Sequence, residues 1–204
     1  MSLRFASVCL LGLLLSPLQA SSLLINGSFE DPASAGSPSL PLGSTYLTGW
    51  TVISAEIAQI CPGCFGITAT DGLYSLDLTG YHDSAPYGGV SQTIATTPGE
   101  TYTIQFDVGS LGSAQVQVSA GSLLDVASST STGFGWTTYS STFTALAATT
   151  DIQLTGFSTS NGYYIGLDNV IVTDAPSVPE PGSLLLVGLG GLAVPLLARR
   201  RRRI

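Results

Sequence analysis

The sequence predicts an all-β domain, a two-sheet antiparallel β-sandwich of the jelly-roll kind, with a removable signal at each end of the chain. The central region is rich in Ser, Thr and Gly, its apolar residues fall in short β-branched runs, and helical periodicity is absent. The clearest strand covers residues 102–108, where Tyr102, Ile104, Phe106 and Val108 alternate with polar residues. This alternation is typical of a strand with one buried face.

Shorter runs with the same pattern predict the remaining strands. They lie at residues 24–25, 50–53, 73–78, 89–95, 116–118, 139–143, 152–154 and 170–172. Pro98-Gly99 supplies the turn before the clearest strand, and residues 32–43, rich in Ser, Pro and Gly, form a long loop. Eight or more short strands separated by Gly, Pro and Asn turns favour a sandwich over other all-β architectures.

The first 20 residues have the composition of a secretory signal peptide. Arg4 precedes an apolar run that continues through Leu15, and small residues follow up to Ala20. This order predicts export and cleavage near Ala20 or Ser22. Cys9 is lost with the peptide, and the exported domain then covers residues 21–176.

The C-terminal segment, residues 177–204, is a second transport signal. The motif at residues 178–182 precedes an apolar helix at residues 183–198 and an arginine cluster at residues 199–203. A 16-residue helix is about 24 Å long, shorter than the ~30 Å hydrocarbon core, so a transient anchor is favoured over a permanent span. The arginines would hold this end on the cytoplasmic side.

Pro179, Glu180 and Pro181, followed by the apolar helix and the terminal arginines, resemble the PEP-CTERM sorting signal of Gram-negative bacteria. The resemblance implies an exosortase-type membrane protease as processing partner. It also implies delivery to the cell surface, the outer membrane or an extracellular matrix, often in bacteria that build extracellular polysaccharide. Contact with the membrane would be made only through the transient C-terminal helix.

The charge of the exported domain limits its partners. All six basic residues are Arg4 and Arg199 to Arg203, whereas the 13 acidic residues lie between Glu30 and Glu180. The domain therefore contains no lysine and no arginine. Nucleic acid and anionic lipid are poor partners for such a surface, and neutral glycans and divalent cations are acceptable ones.

Two acidic residues are expected near the core. Glu30 follows Phe29 after an Asn-Gly turn, and Asp168 shares a face with Val170 and Val172 if that strand is regular. A buried carboxylate needs a cation or several hydrogen-bond donors, and the domain has no basic side chain to offer. Calcium is the remaining strong cation. The alternative is a hydrogen-bonded acid without metal.

A series of short motifs resembles the galactose-binding-like jelly rolls, in particular the family 4 and family 22 carbohydrate-binding modules. The motifs, in order, are residues 26–30, Gly49-Trp50, Asp71-Gly72 before residues 73–78, Ser91-Gln92-Thr93, residues 98–102, residues 136–143 and residues 167–170. The resemblance implies a structural calcium ion between Glu30 and Asp168, with Asp71 assisting. It also implies extracellular polysaccharide as a partner.

Sugar binding requires exposed aromatic faces beside polar groups. The turn-rich loop at residues 81–87 offers Tyr81, Asp83 and Tyr87, and Tyr163 lies in a second polar loop. The alternative for each is ordinary loop packing. Trp50 and Trp136 are expected in the core. His82, the sole histidine, is expected to be a solvated loop residue.

Cys61 and Cys64 flank Pro62-Gly63. In an exported protein this spacing is typical of a small disulfide loop. A redox site would require the motif to begin a helix after a strand, and a zinc site would require two further ligands. Both alternatives stay open.

Catalysis is not predicted. The acids Asp77, Asp83, Asp107 and Asp125 occur in unrelated contexts, and neither a nucleophile elbow nor a triad is evident. We expect an exported, calcium-stabilised, non-catalytic domain that binds polysaccharide. The alternatives are a purely structural matrix protein and, less favoured, a glycoside hydrolase.

Overall fold

The computed structural model describes residues 21–160 and 163–175, and in these ranges the regular elements are nine β-strands and one 3-10 turn, Cys64–Gly66. The strands are β1 (Ser39–Leu40), β2 (Thr51–Ile53), β3 (Ile57–Ile60), β4 (Ser75–Asp77), β5 (Gly89–Ala95), β6 (Thr101–Ala120), β7 (Leu123–Thr144), β8 (Thr149–Thr159) and β9 (Gly166–Asp174). The predicted signal peptide and C-terminal sorting signal lie outside the described residues. None of the described residues forms a helix long and apolar enough to cross a membrane.

All strand pairs are antiparallel, in the order β1-β3-β4-β9-β6-β8-β5-β2, and β7 pairs with β6. The all-β prediction is therefore confirmed. The expectation of two separate sheets is corrected, because hydrogen bonds connect the described strands into one continuous sheet. This sheet curls around a shared core in the manner of a jelly roll.

The length of β6 makes the sheet continuous. Its 20 residues extend over about 66 Å, too far for one face of a small domain. Residues 102–109 of β6 pair with β9, and residues 114–119 pair with β8. The ladder to β7 shifts register between Leu111 and Ser113, and Gly112 between them has a φ of +106°. A glycine tolerates this conformation, so the strand can bend from one half of the sheet into the other.

The alternation predicted for residues 102–108 is the core-facing pattern of β6. Tyr102, Ile104, Phe106 and Val108 are all buried in the core. Aromatic rings pair across the strands at ring-centroid distances of 5.4 Å for Tyr102 and Phe143 and 4.9 Å for Phe106 and Tyr139. Phe29 packs against Trp50 at 5.4 Å, so the expectation that Trp50 lies in the core is confirmed.

The predicted strand at residues 24–25 is not a strand in the structure. This segment lies beside β9, and Leu23 N donates to Val172 O at 2.7 Å while Val170 N donates to Gly27 O at 2.9 Å. The backbone N–H and C=O of Ile25 are hydrogen-bonded to the side-chain amide of Gln92, which accepts from Ile25 N and donates to Ile25 O. These two hydrogen bonds from Gln92 replace those that a neighbouring strand would supply to Ile25.

Gly109 and Gly166 form a cross-strand pair between β6 and β9, and a larger residue at either position would have to displace aromatic side chains. A Cβ atom on Gly166 would lie 2.9 Å from Cη2 of Trp136 and still closer to the hydroxyl of Tyr164. The two rings thus lie directly on the backbone of the sheet.

We predict that Gly166→Ala lowers the free energy of unfolding by about 1–3 kcal/mol, because the added methyl group has to displace Tyr164 and Trp136. The matched control is Gly36→Ala, where nothing lies within 4 Å of the added Cβ. We expect the control to change the free energy by at most about 1 kcal/mol in either direction. Urea denaturation of both variants measures the difference, and equal values would contradict the packing assigned to Gly166.

Candidate functional site

The outer face of the sheet carries the polar residues of the central strands. The register places Asp77 of β4 opposite Gly166 of β9, Gly166 opposite Gly109 of β6, and Gly109 opposite Trp136 of β7. Side chains one position along, Leu76 and Leu167, point into the core. Asp77 and Trp136 therefore lie on the face turned away from the core.

Trp136 is half-buried on this outer face, which corrects the expectation that it belongs to the core. Its indole N–H donates to Thr68 O at 2.8 Å, and its ring makes an edge contact with Phe134 at 5.6 Å. The Trp136 ring lies between Gly109 and Gly166 on one side and the segment that contains Thr68 on the other.

Asp168 also belongs to the outer face. The β6–β9 ladder shifts register between Gln105 and Asp107, and Asn169 has a φ of +53°, so β9 has a bulge at Asn169. The bulge reverses the alternation, and Asp168 faces away from Val170. The expected inward orientation of Asp168 required a regular strand and is wrong for this reason.

Backbone and hydroxyl donors surround the buried Asp168 carboxylate. Its side chain is fully buried, and Oδ2 accepts from Thr70 N at 2.7 Å, Thr70 Oγ1 at 3.0 Å and Asp71 N at 3.1 Å. Oδ1 accepts from Asn169 N at 2.7 Å. Burial raises the pKa of Asp168 to about 6, and these hydrogen bonds counteract the increase.

Glu30 holds the same chain segment from the other side. Its Oε1 accepts from Leu73 N at 2.8 Å and Tyr74 N at 2.7 Å. Gly72 lies between these contacts with a φ of +73°, and a Cβ atom there would lie 2.5 Å from Cδ of Glu30. Residues 70–74 therefore form a turn whose N–H groups point at two carboxylates.

The structure brings Glu30, Asp71 and Asp168 to one turn but assigns them different parts. Asp71 contributes its backbone N–H, and its side chain is exposed. Within residues 21–160 and 163–175, no three His, Cys, Asp or Glu side chains form a group that could hold a metal ion. Calcium at this turn stays a prediction.

A cavity of about 350 Å³ opens on the same outer face beside Asp77. Its apolar wall consists of Ile60, Ile67, Leu111 and Tyr164. The polar and exposed lining consists of Asp77, Gly80, Tyr81, Asp83, Phe65 and Tyr163. A cavity of this size, with aromatic walls and a few polar groups, is typical of small-ligand sites.

Three of the four predicted sugar-binding residues, Tyr81, Asp83 and Tyr163, line this cavity. Tyr81 and Tyr163 are 50% and 54% exposed, so their rings are accessible. Tyr87 is not among the lining residues. It is half-buried and packs against the main core, which is the ordinary loop packing considered as its alternative.

Asp77 is an acidic lining residue that the sequence analysis did not assign to a binding site. It is 7% exposed, and Oδ1 accepts from Thr79 N at 3.0 Å, Thr79 Oγ1 at 2.9 Å and Ile165 N at 3.2 Å. Burial raises the pKa of Asp77 to about 6, and the negative charge of Asp83 adds to the increase. Asp77 and Asp83 were expected in unrelated contexts, yet they line the same cavity.

Glu56 fixes the loop that carries Tyr81 and Asp83. The Glu56 carboxylate accepts from Tyr81 N at 2.9 Å and Ser39 Oγ at 2.6 Å, and it lies 3.2 Å from Nδ1 of His82. These contacts lower the pKa of Glu56 and raise the pKa of His82. His82 is a partly exposed loop residue, as expected, but it is bonded to Glu56 rather than to solvent alone.

A disulfide joins Cys61 and Cys64, with a Cα–Cα distance of 5.3 Å. The 3-10 turn after it places Phe65 on the cavity, where the ring is 71% exposed. Phe65 has a φ of +56°, an uncommon conformation for an aromatic residue. The short loop thus forms one wall of the cavity.

Ile60, a lining residue missed by sequence reasoning, lies in a strand without alternation. All four residues of β3, including Ile60, are buried, so one face could not be distinguished from the other. For Asp77 a signal existed, because Leu76 and Leu78 flank it in a period-two pattern that places Asp77 on the opposite face.

We predict that Asp77→Asn becomes more stable relative to the wild type as pH rises from about 4 to about 6. The carboxyl titrates near 3.8 when unfolded and about 6 when folded, so in this interval the folded state binds more protons. This titration lowers the wild-type free energy of unfolding as pH rises through the interval, on the order of 2–3 kcal/mol, and the uncharged variant lacks this contribution.

Urea denaturation at pH 4, 5, 6 and 7 measures both proteins. The groups near Asp77 are Asp83, Thr79, Tyr164 and Ile165, none of them cationic, so nothing in its described surroundings reverses the sign. A constant difference between the two proteins would contradict the assigned burial.

We predict that Asp168→Asn lowers the free energy of unfolding by about 1–3 kcal/mol. Both oxygens of the Asp168 carboxylate accept hydrogen bonds from backbone N–H groups. In the variant, the NH2 group of the amide replaces one of these oxygens and faces an N–H donor, so at least one hydrogen bond is lost. Denaturation is measured with calcium and with chelator. A loss seen only with calcium present would assign the stabilisation to a metal ion instead of the N–H groups.

Several solved structures are similar to the described domain. A family 4 carbohydrate-binding module shares 17% identity at a TM-score of 0.44, over 74% of this chain and 99% of that chain. The family 61 module TmCBM61, solved with β-1,4-galactotriose, shares 16% identity at 0.48, over 76% and 100%. The C-terminal family 22 module of Clostridium thermocellum Xyn10B shares 15% identity at 0.44, over 69% and 94%.

The sequence matches no curated protein. Residues 177–203 match the PEP-CTERM protein-sorting motif, which confirms the resemblance of the C-terminal segment and indicates an exported protein sorted to the cell surface. Residues 22–173 match the model of a family described as a protein of unknown function (DUF642). Because this match covers most of the sequence, the chain belongs to the DUF642 family.

Proposed function

We propose that the exported domain is a non-catalytic, galactose-binding-like jelly roll that binds extracellular polysaccharide in the cavity beside Asp77. An exosortase-type protease would process the C-terminal signal and release the domain to the cell surface or matrix. The observation that carries the proposal is that exposed aromatic rings and carboxylates meet in one cavity.

The chemistry of the lining suits a saccharide. The C–H faces of a sugar ring stack on aromatic side chains, and Phe65, Tyr81 and Tyr163 offer three exposed rings. Sugar hydroxyl groups donate hydrogen bonds to carboxylates, and Asp77 and Asp83 accept them. The bonds of Glu56 and the Cys61–Cys64 disulfide hold two of the walls in place before a ligand arrives, which reduces the entropic cost of binding.

Glycoside hydrolysis is a second candidate, favoured by one observation. Asp77, with its pKa raised to about 6, has the property of a general acid, and Asp83 lines the same cavity. Calcium at the turn of residues 70–74 would add stability without taking part at the cavity.

We predict that Tyr81→Ala and Tyr163→Ala each weaken polysaccharide binding at least about tenfold, because each removes a ring from the cavity. The exported protein is tested for retention on cellulose, xylan, β-1,4-galactan and deacetylated chitin. Tyr46→Ala is the matched control, since Tyr46 is an exposed tyrosine outside the cavity lining. Tyr81→Phe keeps the ring but loses the hydroxyl bond to Ser37 O, and we expect it to bind.

Three other outcomes would contradict the proposed site or favour a different function. Equal loss in the Tyr46 control would contradict a binding site at the cavity. Retention of the wild type on none of the polysaccharides would favour a purely structural matrix protein. New reducing ends released by the wild type and not by Asp77→Asn would assign hydrolysis.

A further inference from the structure

From the charges of the cavity we infer that its ligand is a glycan with free amino groups, bound as an ammonium ion between Asp77, Asp83 and the aromatic rings. This inference rests on the proposed function and specifies its substrate class. It excludes sulfated, phosphorylated and uronic-acid glycans as ligands, because their charge repels both carboxylates.

Both charged groups of the lining are acidic, and no basic side chain balances them. Asp77 and Asp83 line the cavity, while residues 21–175 contain no lysine and no arginine. The nearby His82 is bonded to Glu56 and Pro86 O. A ligand that enters the cavity therefore meets two carboxylates. His82 interacts electrostatically with Asp83, whereas the charged group that acts on Asp77 is Asp83, another acid.

Asp77 is the stronger determinant because it is buried. Thr79 and Ile165 donate three hydrogen bonds to its Oδ1, and all three donors are uncharged. A carboxylate withdrawn from water without a cation is in an unfavourable state, which is why burial raises its pKa to about 6. A ligand ammonium group would supply the missing charge and would lower that pKa again.

The rings favour the same ligand. Phe65, Tyr81 and Tyr163 are exposed and line the cavity with the two acids. The face of an aromatic ring attracts a cation, and the same face stacks on the C–H groups of a sugar. An amino sugar satisfies both interactions, whereas a neutral sugar satisfies only the stacking.

The test uses three tetrasaccharides with the same β-1,4 linkage, built from glucosamine, N-acetylglucosamine and glucose. Affinities of the exported protein are measured by calorimetry at pH 6, where the sugar amines are protonated. We expect the glucosamine tetramer to bind at least about tenfold more tightly than the other two. Asp77→Asn and Asp83→Asn should each reduce this preference, with folding checked by thermal melting.

Glu100→Gln is the matched control. It removes one negative charge at the turn before β6, away from the cavity lining, and we expect the preference to persist in this variant. A preference that persists equally in Asp77→Asn and Asp83→Asn would overturn the inference, because it would then come from the general negative charge of the domain. High salt should weaken such general attraction first.

The two proposals fail in different ways. Equal binding of the three tetrasaccharides at the cavity, abolished by Tyr81→Ala, would overturn the selectivity for amino groups and leave the polysaccharide-binding function in place. No binding of any tetrasaccharide, together with no retention on any polysaccharide, would overturn both.

Discussion

The lack of lysine and arginine in the exported domain is the constraint on which the rest of the structure depends. Every buried carboxylate has to be stabilised by N–H and O–H donors, since no side-chain cation other than His82 exists between residues 21 and 175. Asp168 meets this requirement with four hydrogen bonds, three from Thr70 and Asp71 and one from Asn169. Glu30 accepts two more from the same turn, which covers residues 70–74. The turn is thereby fixed to both ends of the domain, because Glu30 lies early in the chain and Asp168 in the last strand. Asp77 accepts three hydrogen bonds at Oδ1, and it is the buried carboxylate that borders the cavity.

The strands located from the sequence include those in which burial alternates, and the two strands that were missed, β1 and β3, lack a readable alternation. β5 was predicted with its observed bounds, and the alternation predicted at residues 102–108 is the core-facing pattern of β6. β3 was missed because all four of its residues are buried, and β1 because two residues in a Ser- and Pro-rich loop carry no periodic signal. The continuity of the sheet could not be predicted either, since it comes from the change of partner along β6, a tertiary property.

The candidate site shows the same division. Tyr81, Asp83 and Tyr163 were predicted from loop composition, because turn residues beside aromatic side chains indicate exposure. Their convergence with Asp77 and Phe65 depends on the fold of three separate segments, which no local pattern records. Asp168 was assigned to the wrong face because a single bulge residue, Asn169, reverses the alternation after it. A one-residue bulge shifts the period-two pattern by one position, so it can be recognised only when the alternation is assigned separately before and after the bulge.

For a domain attached through its C-terminal side, the direction of β9 determines how far the cavity lies from the point of attachment. The strand begins at Gly166, opposite Asp77 at the cavity, and ends at Asp174, next to Ala175, whose N–H donates to Thr101 O. Eight residue steps of strand separate these ends by about 26 Å. Attachment through the C-terminal side would therefore keep the cavity on the distal end of the molecule, with the last strand acting as a spacer between anchor and ligand.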